Sequence, residues 1–315
     1  MKRILIVGAG GQIGSELVPY LRNIYGAANV VATDVRECKG LGDDGPFEVL
    51  DALNPTNMAS VVARHRIDTI FNLVALLSAV GERNPQMAWG VNMGALLNSL
   101  EVARQHHCAV FTPSSIGAFG PTSPKDLTPQ DTIMQPTTIY GICKVTGELL
   151  SNYYSQKYGI DTRSIRFPGI ISNKTLPGGG TTDYAVEIFY EALRTKRYTC
   201  AVPHDVYMDM LYMPDALRAI VELMEADPTK LQHRNSFNLA SMSFTPDILA
   251  AEIHKHIPSF EMTYDIDPVK ESIARSWPNQ LDDTCAREEW GWKPEWGIES
   301  MTSDMLDKVA QKLEL

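Results

Sequence analysis

Several things are scarce in this sequence, and each absence removes a class of protein. There are five cysteines (Cys38, Cys108, Cys143, Cys200 and Cys285), widely spaced and without a Cys-x-x-Cys pair. An odd, scattered set argues against a disulfide framework or a zinc knuckle. No uncharged apolar run approaches the ~18 residues of a membrane span. Only four strongly apolar residues follow Met1-Lys-Arg3 before Gly8, too few for a secretory signal, so the expected location is the cytoplasm. There is no long basic run, and the net charge is -10, which disfavours nucleic acid and acidic membranes as partners. Histidines occur as His106-His107 and His254-Lys-His256, without the i, i+4 spacing of a helical zinc pair, so no metal is expected. Internal repeats and low-complexity tracts are absent as well.

What remains is an ordinary globular composition, 44% hydrophobic and 21% charged over 315 residues. That length suits one large domain or two closely joined ones. Ile4-Leu-Ile-Val7 reads as a strand, followed by Gly8-Ala-Gly-Gly-Gln-Ile-Gly14 and a periodic helix from Ser15 to Tyr25. Glycines there let a pyrophosphate approach the amides of a helix N-terminus. The strict G-x-G-x-x-G pattern fails at Ile13, and Gly8, Gly11 and Gly14 fit G-x-x-G-x-x-G instead. The next apolar run ends at Asp34, 20 residues after Gly14. A carboxylate at that distance accepts from both hydroxyls of an adenosine ribose and repels a 2'-phosphate, which favours NAD over NADP, although the nearby Arg36 can accommodate such a phosphate. Asp51, after Phe47-Glu-Val-Leu50, has two readings: an acceptor for the adenine amino group beside the Ala52 amide, or a cap near Asn54-Pro55.

Further strands are expected at Thr69–Ala75, Ala109–Thr112 and Thr162–Phe167, with helices over Thr56–Arg66, Met87–His107 and Tyr140–Tyr158. Strands alternating with helices predict an α/β fold, a Rossmann-type doubly wound parallel sheet. Residues 1–170 are assigned to the cofactor-binding domain. Residues 171–315 are assigned to a smaller substrate-binding lid, some segments of which return to the main sheet. Ligands in such sheets sit at the carboxyl ends of the strands, and Gly8, Asp34, Asp51, Ala75, Ser115 and Pro168 all fall at or just after predicted strand ends.

The chemistry is read from Tyr140 and Lys144, four residues apart and so on one helix face. A cation beside a phenol favours the phenolate, so such a pair can take a proton from an alcohol near neutral pH. Ser115, 25 residues upstream, can bind the same oxygen. Tyr153 and Lys157 repeat the spacing. On one continuous helix they would lie about 20 Å along and about 140° around from the first pair, so only one pair can face a given site.

Together these residues, with Asn72-Leu-Val-Ala75 and Arg166-Phe-Pro168, resemble the extended short-chain dehydrogenase/reductase family. The resemblance implies Tyr140 as catalytic acid/base, Lys144 on the nicotinamide ribose and Ser115 on the substrate oxygen. It implies NAD held by Gly8, Gly11, Gln12, Ile13, Gly14, Asp34, Val35, Asp51, Ala52, Leu73, Ala75, Asn92, Tyr140, Lys144, Pro168 and Ile170. Three more stretches, Leu76–Glu82, Pro177–Ala185 and Ser276-Trp-Pro278, resemble a zinc-independent branch of that family. That branch implies oxidation of the L-threonine side-chain alcohol to 2-amino-3-oxobutanoate, with substrate contacts from Ser78, Ser114, Ser115, Tyr140, Gly180, Thr181 and Trp277. No arginine or lysine stands out as a carboxylate clamp. Amides around Gly178 to Gly180 and the hydroxyls of Ser78, Thr181 and Thr182 can substitute, although the glycines also read as a connector. Two competing readings are a nucleotide-sugar epimerase or dehydratase on the same scaffold and a cofactor-sensing regulator without chemistry. A homodimer is expected from apolar surplus on two helices, at Leu96, Leu97, Leu100, Leu149 and Leu150.

Overall fold

The computed structural model describes residues 1–176, 178 and 180–314; Pro177, Gly179 and Leu315 lie outside the described residues. The first half of the chain runs β1 Ile4–Val7, α1 Gln12–Tyr25, β2 Val30–Asp34, β3 Phe47–Val49, α2 Pro55–His65, β4 Thr69–Asn72, α3 Ser78–Arg83, α4 Pro85–His106, β5 Ala109–Phe111, β6 Ser114–Ser115, α5 Ile139–Tyr158 and β7 Thr162–Phe167. The second half runs β8 Gly169–Ile171, α6 Tyr184–Arg194, β9 Arg197–Cys200, β10 Met208–Tyr212, α7 Met213–Glu225, β11 Asn235–Asn238, β12 Met242–Phe244, α8 Pro246–His256, β13 Glu261–Tyr264, α9 Pro268–Ser276, α10 Thr284–Trp290 and α11 Ile298–Leu313.

The main sheet has the order β11-β7-β5-β4-β1-β2-β3, with β6 beside β7, and the pairings that join it are parallel. The sequence of β1 shows how it is covered on both faces. Side chains alternate across a strand, so Ile4 and Ile6 enter one core with Leu17 and Leu21 of α1 and Leu217 and Ile220 of α7. Leu5 and Val7 enter the other, with Val61 of α2, Leu100 of α4 and Tyr154 of α5. Among the described residues no helix is long and apolar enough to cross a membrane.

After Ile170 the chain is divided. β11, α7 and α10 complete the main sheet and its core. A separate core gathers α6, α8 and α11 around β8, β10 and β12. In that smaller sheet β10 runs parallel to β8 and antiparallel to β12.

Three expectations need correction. The fourth strand stops at Asn72, not Ala75, because its partner β1 ends at Val7 and turns into the glycine loop; the last rung is the Leu73 amide to the Val7 carbonyl at 2.9 Å. The first helix starts at Gln12, not Ser15, so its opening turn belongs to the loop itself. Leu96 and Leu100 are not surplus: both are buried in the protomer's own core, leaving Leu97 (43% exposed) and Leu149 (62%) outside.

Candidate active site

The cleft begins at the carboxyl end of β1. Gly11 precedes α1 without any side-chain cap, so the first amides of the helix lack intrahelical partners and face the loop. Gly14 lies against the loop so closely that a Cβ would sit 2.6 Å from the Gly8 carbonyl oxygen. Any side chain there would push the helix off the strand. This uncapped, close-packed turn fits a pyrophosphate. At the end of β2, Asp34 accepts from the Gly10 amide at 3.0 Å through Oδ2, which holds its carboxylate beside the loop.

A cavity of about 390 Å³ opens from here, lined by Gly8, Gly11, Asp34, Val35, Asp51 and Ala52, and by Leu73 and Ala75. Of the two readings of Asp51, the structure shows a local turn: its Oδ1 accepts from the Leu53 amide at 2.9 Å, while Asn54 caps α2. Both are compatible with a neighbouring adenine, since Asp51 also lines the cavity.

Leu73 and Ala75 also line a second, smaller cavity of about 150 Å³, so the two are adjoining ends of one cleft. The lining of the small cavity includes Ser115, Tyr140 and Lys144. Local structure explains their meeting. Thr138 caps α5 by accepting from the Gly141 amide at 3.1 Å, which puts Tyr140 in the first helical turn. Gly141 abuts the short turn Ile116–Ala118; a Cβ there would come within 2.2 Å of the Gly117 carbonyl oxygen. Only glycine allows α5 to approach the end of β6 this closely. The Lys144 ammonium donates to the Pro113 carbonyl at 2.6 Å and lies 5.2 Å from the centre of the Tyr140 ring. Ser115 accepts from the Gly117 amide at 3.1 Å, which leaves its hydroxyl proton to donate. Burial pushes the Cys143 thiol upward, so the cysteine within this stretch stays protonated at neutral pH.

The lining also includes Gln12, Ile13, Ser78, Pro168, Ile170, Gly180, Thr181 and Trp277. Gln12 donates to the Ile170 carbonyl at 3.3 Å, joining the cofactor helix to this part of the lining. Thr181 is 2% exposed, and its hydroxyl has no hydrogen-bond partner among the described residues. Trp277 packs with Ile116, Phe119, Ile273 and Leu281 in a small core of its own.

The decoy pair is elsewhere. Lys157 bonds to the Tyr153 hydroxyl at 2.5 Å on an exposed face, and neither lines the cavity. Three expected contacts take other forms. Ser114 borders the cavity, but its hydroxyl donates to Glu148. Asn92 grips the Leu76 backbone at both ends, amide to Oδ1 at 2.7 Å and Nδ2 to carbonyl at 3.2 Å, and so fixes the turn that carries Ala75 and Ser78. The Gly180 amide donates to Asp183 at 2.5 Å, so a carboxylate would have to compete for it. Gly179, included with it in the expected amide nest, lies outside the described residues.

Two acids of the site went unread in the sequence. Asp183 lines the small cavity. Glu148 sits behind it, 5% exposed, in a two-pronged pair with Arg166 at 3.0 and 2.8 Å. Arg166 also donates to the Gln130 carbonyl at 2.7 Å and to Asn238 at 3.1 Å. This buried network fixes β6 through Ser114. A signal was present: Tyr140, Lys144 and Glu148 follow one another at intervals of four on α5.

The family model described as the NAD dependent epimerase/dehydratase family matches residues 4–240. An uncharacterized epimerase/dehydratase of Staphylococcus haemolyticus is 54% identical over 314 residues, 99% of each chain. Among solved structures, the L-threonine dehydrogenase of Clostridium difficile superposes with a TM-score of 0.97 at 52% identity, over 99% of this chain and 98% of that one. A monomeric L-threonine 3-dehydrogenase from a metagenome gives 0.95 at 40% identity, over 98% and 99%.

Proposed function

The chain belongs to the NAD-dependent epimerase/dehydratase family, and we propose that it oxidises the side-chain alcohol of L-threonine to 2-amino-3-oxobutanoate. The observation that carries this reading is the small cavity itself. Its lining brings together Ser115, Tyr140 and Lys144 with Trp277 and the Thr181 hydroxyl, which has no hydrogen-bond partner among the described residues. Its volume of about 150 Å³ suits an amino acid. Pockets for larger ligands run from roughly 300 to 1,000 Å³, so this volume favours a small substrate over a sugar diphosphate.

NAD supplies the hydride acceptor. The uncapped start of α1 would hold its pyrophosphate, Asp34 its adenosine ribose, and Lys144, Pro168 and Ile170 its nicotinamide end. Ser115 donates to the substrate oxygen and Tyr140 takes the hydroxyl proton, with the Lys144 ammonium 5.2 Å from the centre of its ring. The hydride leaves the carbon bearing that hydroxyl, and the bond to oxygen becomes a carbonyl.

Substrate recognition follows from the remaining groups. Ser78 and Thr181 offer hydroxyls to the carboxylate, the acidic Asp183 in the same lining suits the ammonium, and Trp277 covers the methyl. A zwitterion satisfies this mixture without a cationic clamp. Solved structures similar to this chain carry names of threonine dehydrogenases, which supports the same choice. The test is NADH absorbance on mixing the pure protein with NAD and L-threonine, L-serine or UDP-glucose. Threonine should be oxidised fastest, serine about 10- to 200-fold less well for want of one methyl, and UDP-glucose not at all. Turnover of the nucleotide sugar alone would replace this reading with that of a sugar epimerase or dehydratase.

A further inference from the structure

A second group of chemically capable side chains lies at the other end of the sheet. β11 begins at Asn235 and runs parallel to β7, so His233, two residues earlier, is at the amino ends of the strands. The cleft is at the carboxyl ends. Cys285 and Glu289 are four residues apart on α10 and share a face. One donor atom from each of His233, Cys285 and Glu289 lies within 4.8 Å of the other two, and among the described residues no other such group of three forms.

The surroundings orient two of the three donors. Glu289 Oε2 accepts from the amides of Gln232 at 2.5 Å and His233 at 3.1 Å, and its Oε1 is turned to His233 Nδ1. On the opposite edge of the ring, Nε2 meets Asp131 Oδ2 at 3.2 Å. A carboxylate on the far nitrogen of a histidine is the usual outer support of a metal-binding imidazole, fixing its tautomer and direction. In the ion pairs here Glu289 and Asp131 share His233 as their basic partner.

We propose that His233 Nδ1, Cys285 Sγ and Glu289 Oε1 form a binding site for one borderline-soft divalent cation of the zinc type. Nitrogen, sulfur and oxygen donors together suit zinc better than magnesium or calcium, which take oxygen alone. Tetrahedral donors about 2.0–2.3 Å from zinc stand roughly 3.5 Å apart; the three donors lie within 4.8 Å of one another, so a cation has to part His233 Nδ1 from Glu289 Oε1, now hydrogen-bonded, and draw Cys285 Sγ to both. Water takes the fourth position. Binding releases the thiol proton and any proton shared between His233 and Glu289. The cation would tie α10 to the turn before β11 and, through Asp131, to the loop before α5. Its role is that of a structural staple remote from Tyr140.

The test uses the full chain, stripped with chelator and titrated with Co²⁺ alone. One equivalent should give the near-ultraviolet charge-transfer absorption of a thiolate–cobalt bond. Cys285→Ser should abolish that absorption, and Cys38→Ser, at the other partly exposed cysteine, should leave it unchanged. Glu289→Gln, a second variant in case Cys285→Ser folds poorly, should weaken binding by more than the ~10- to 100-fold typical of outer-shell partners. Zn²⁺ should raise Tm in the unaltered chain and not in Cys285→Ser. No thiolate absorption at stoichiometric cobalt, or equal absorption in Cys285→Ser, would overturn the site and leave His233 as an imidazolium held between two carboxylates.

Discussion

At the scale of single residues, the account turns on telling two identical patterns apart. Tyr140-x-x-x-Lys144 and Tyr153-x-x-x-Lys157 cannot be separated by spacing. The fold separates them, because α5 turns the first pair to the cleft and the second to the surface. Tyr140→Phe should therefore lower kcat by ~100- to 10,000-fold, the usual contribution of a general acid–base group, while NAD affinity by fluorescence titration is unchanged. Tyr153→Phe should leave kcat near normal; similar behaviour in the two variants would place the chemistry on the wrong pair. We expect Asp34 to carry the cofactor preference. Asp34→Ser should raise the use of NADP relative to NAD, seen as the ratio of kcat/KM values, because it removes the charge that repels a 2'-phosphate. An unaltered enzyme that uses both cofactors equally would refute that role. Glycines and strand-end residues were legible because each is marked locally, by a turn or by the end of an apolar run. Glu148 was not, since Ser114, Arg166 and, through Arg166, Asn238 come from distant parts of the chain.

Among elements, sequence patterning located almost every strand and helix of the first 170 residues, because buried runs and glycine turns alternate there cleanly. It was weaker where a length is set by a neighbour, as with β4, which ends where β1 ends. It was silent on how β10 supports the segment that carries Trp277. Asp209 of β10 is 1% exposed and accepts from the Leu281 amide at 2.9 Å. Burial pushes its carboxyl from the ordinary 3.8 up to about 8, with Asp283 adding to the rise. The folded protein thus holds a proton that the unfolded chain releases above 3.8. The stability tied to that proton is full below 3.8 and is lost as pH rises toward about 8, where it levels. The slope is at most about 1.4 kcal/mol per pH unit. Asp209→Asn keeps an acceptor for Leu281 and should gain on the unaltered protein across this window, as read from urea midpoints at a series of pH values. Parallel midpoints would mean that the folded protein carries Asp209 ionised.

At the scale of the whole molecule, the cleft lies where the parallel sheet meets the smaller unit built around α6, α8 and α11. The outer faces of α4 and α5 remain apolar in part: Leu97, Ile142, Leu149 and Tyr153 are each more than 40% exposed. We expect two copies to pair through these helices as a four-helix interface. Light scattering at micromolar concentration should give twice the 34.9 kDa of one chain, and Leu149→Glu should give one. A monomeric mass for the unaltered protein would rule the pairing out, and would match the metagenomic relative described as monomeric.

The central claim is that the carbon bearing the threonine hydroxyl gives its hydride to NAD while Tyr140 takes the proton. L-threonine deuterated at that carbon tests it most directly. After turnover, mass spectrometry of the reduced cofactor should find one deuterium per molecule formed, and the early rate should fall relative to undeuterated substrate if hydride transfer limits it. Reduced cofactor without deuterium, or no reduced cofactor at all, would contradict the account.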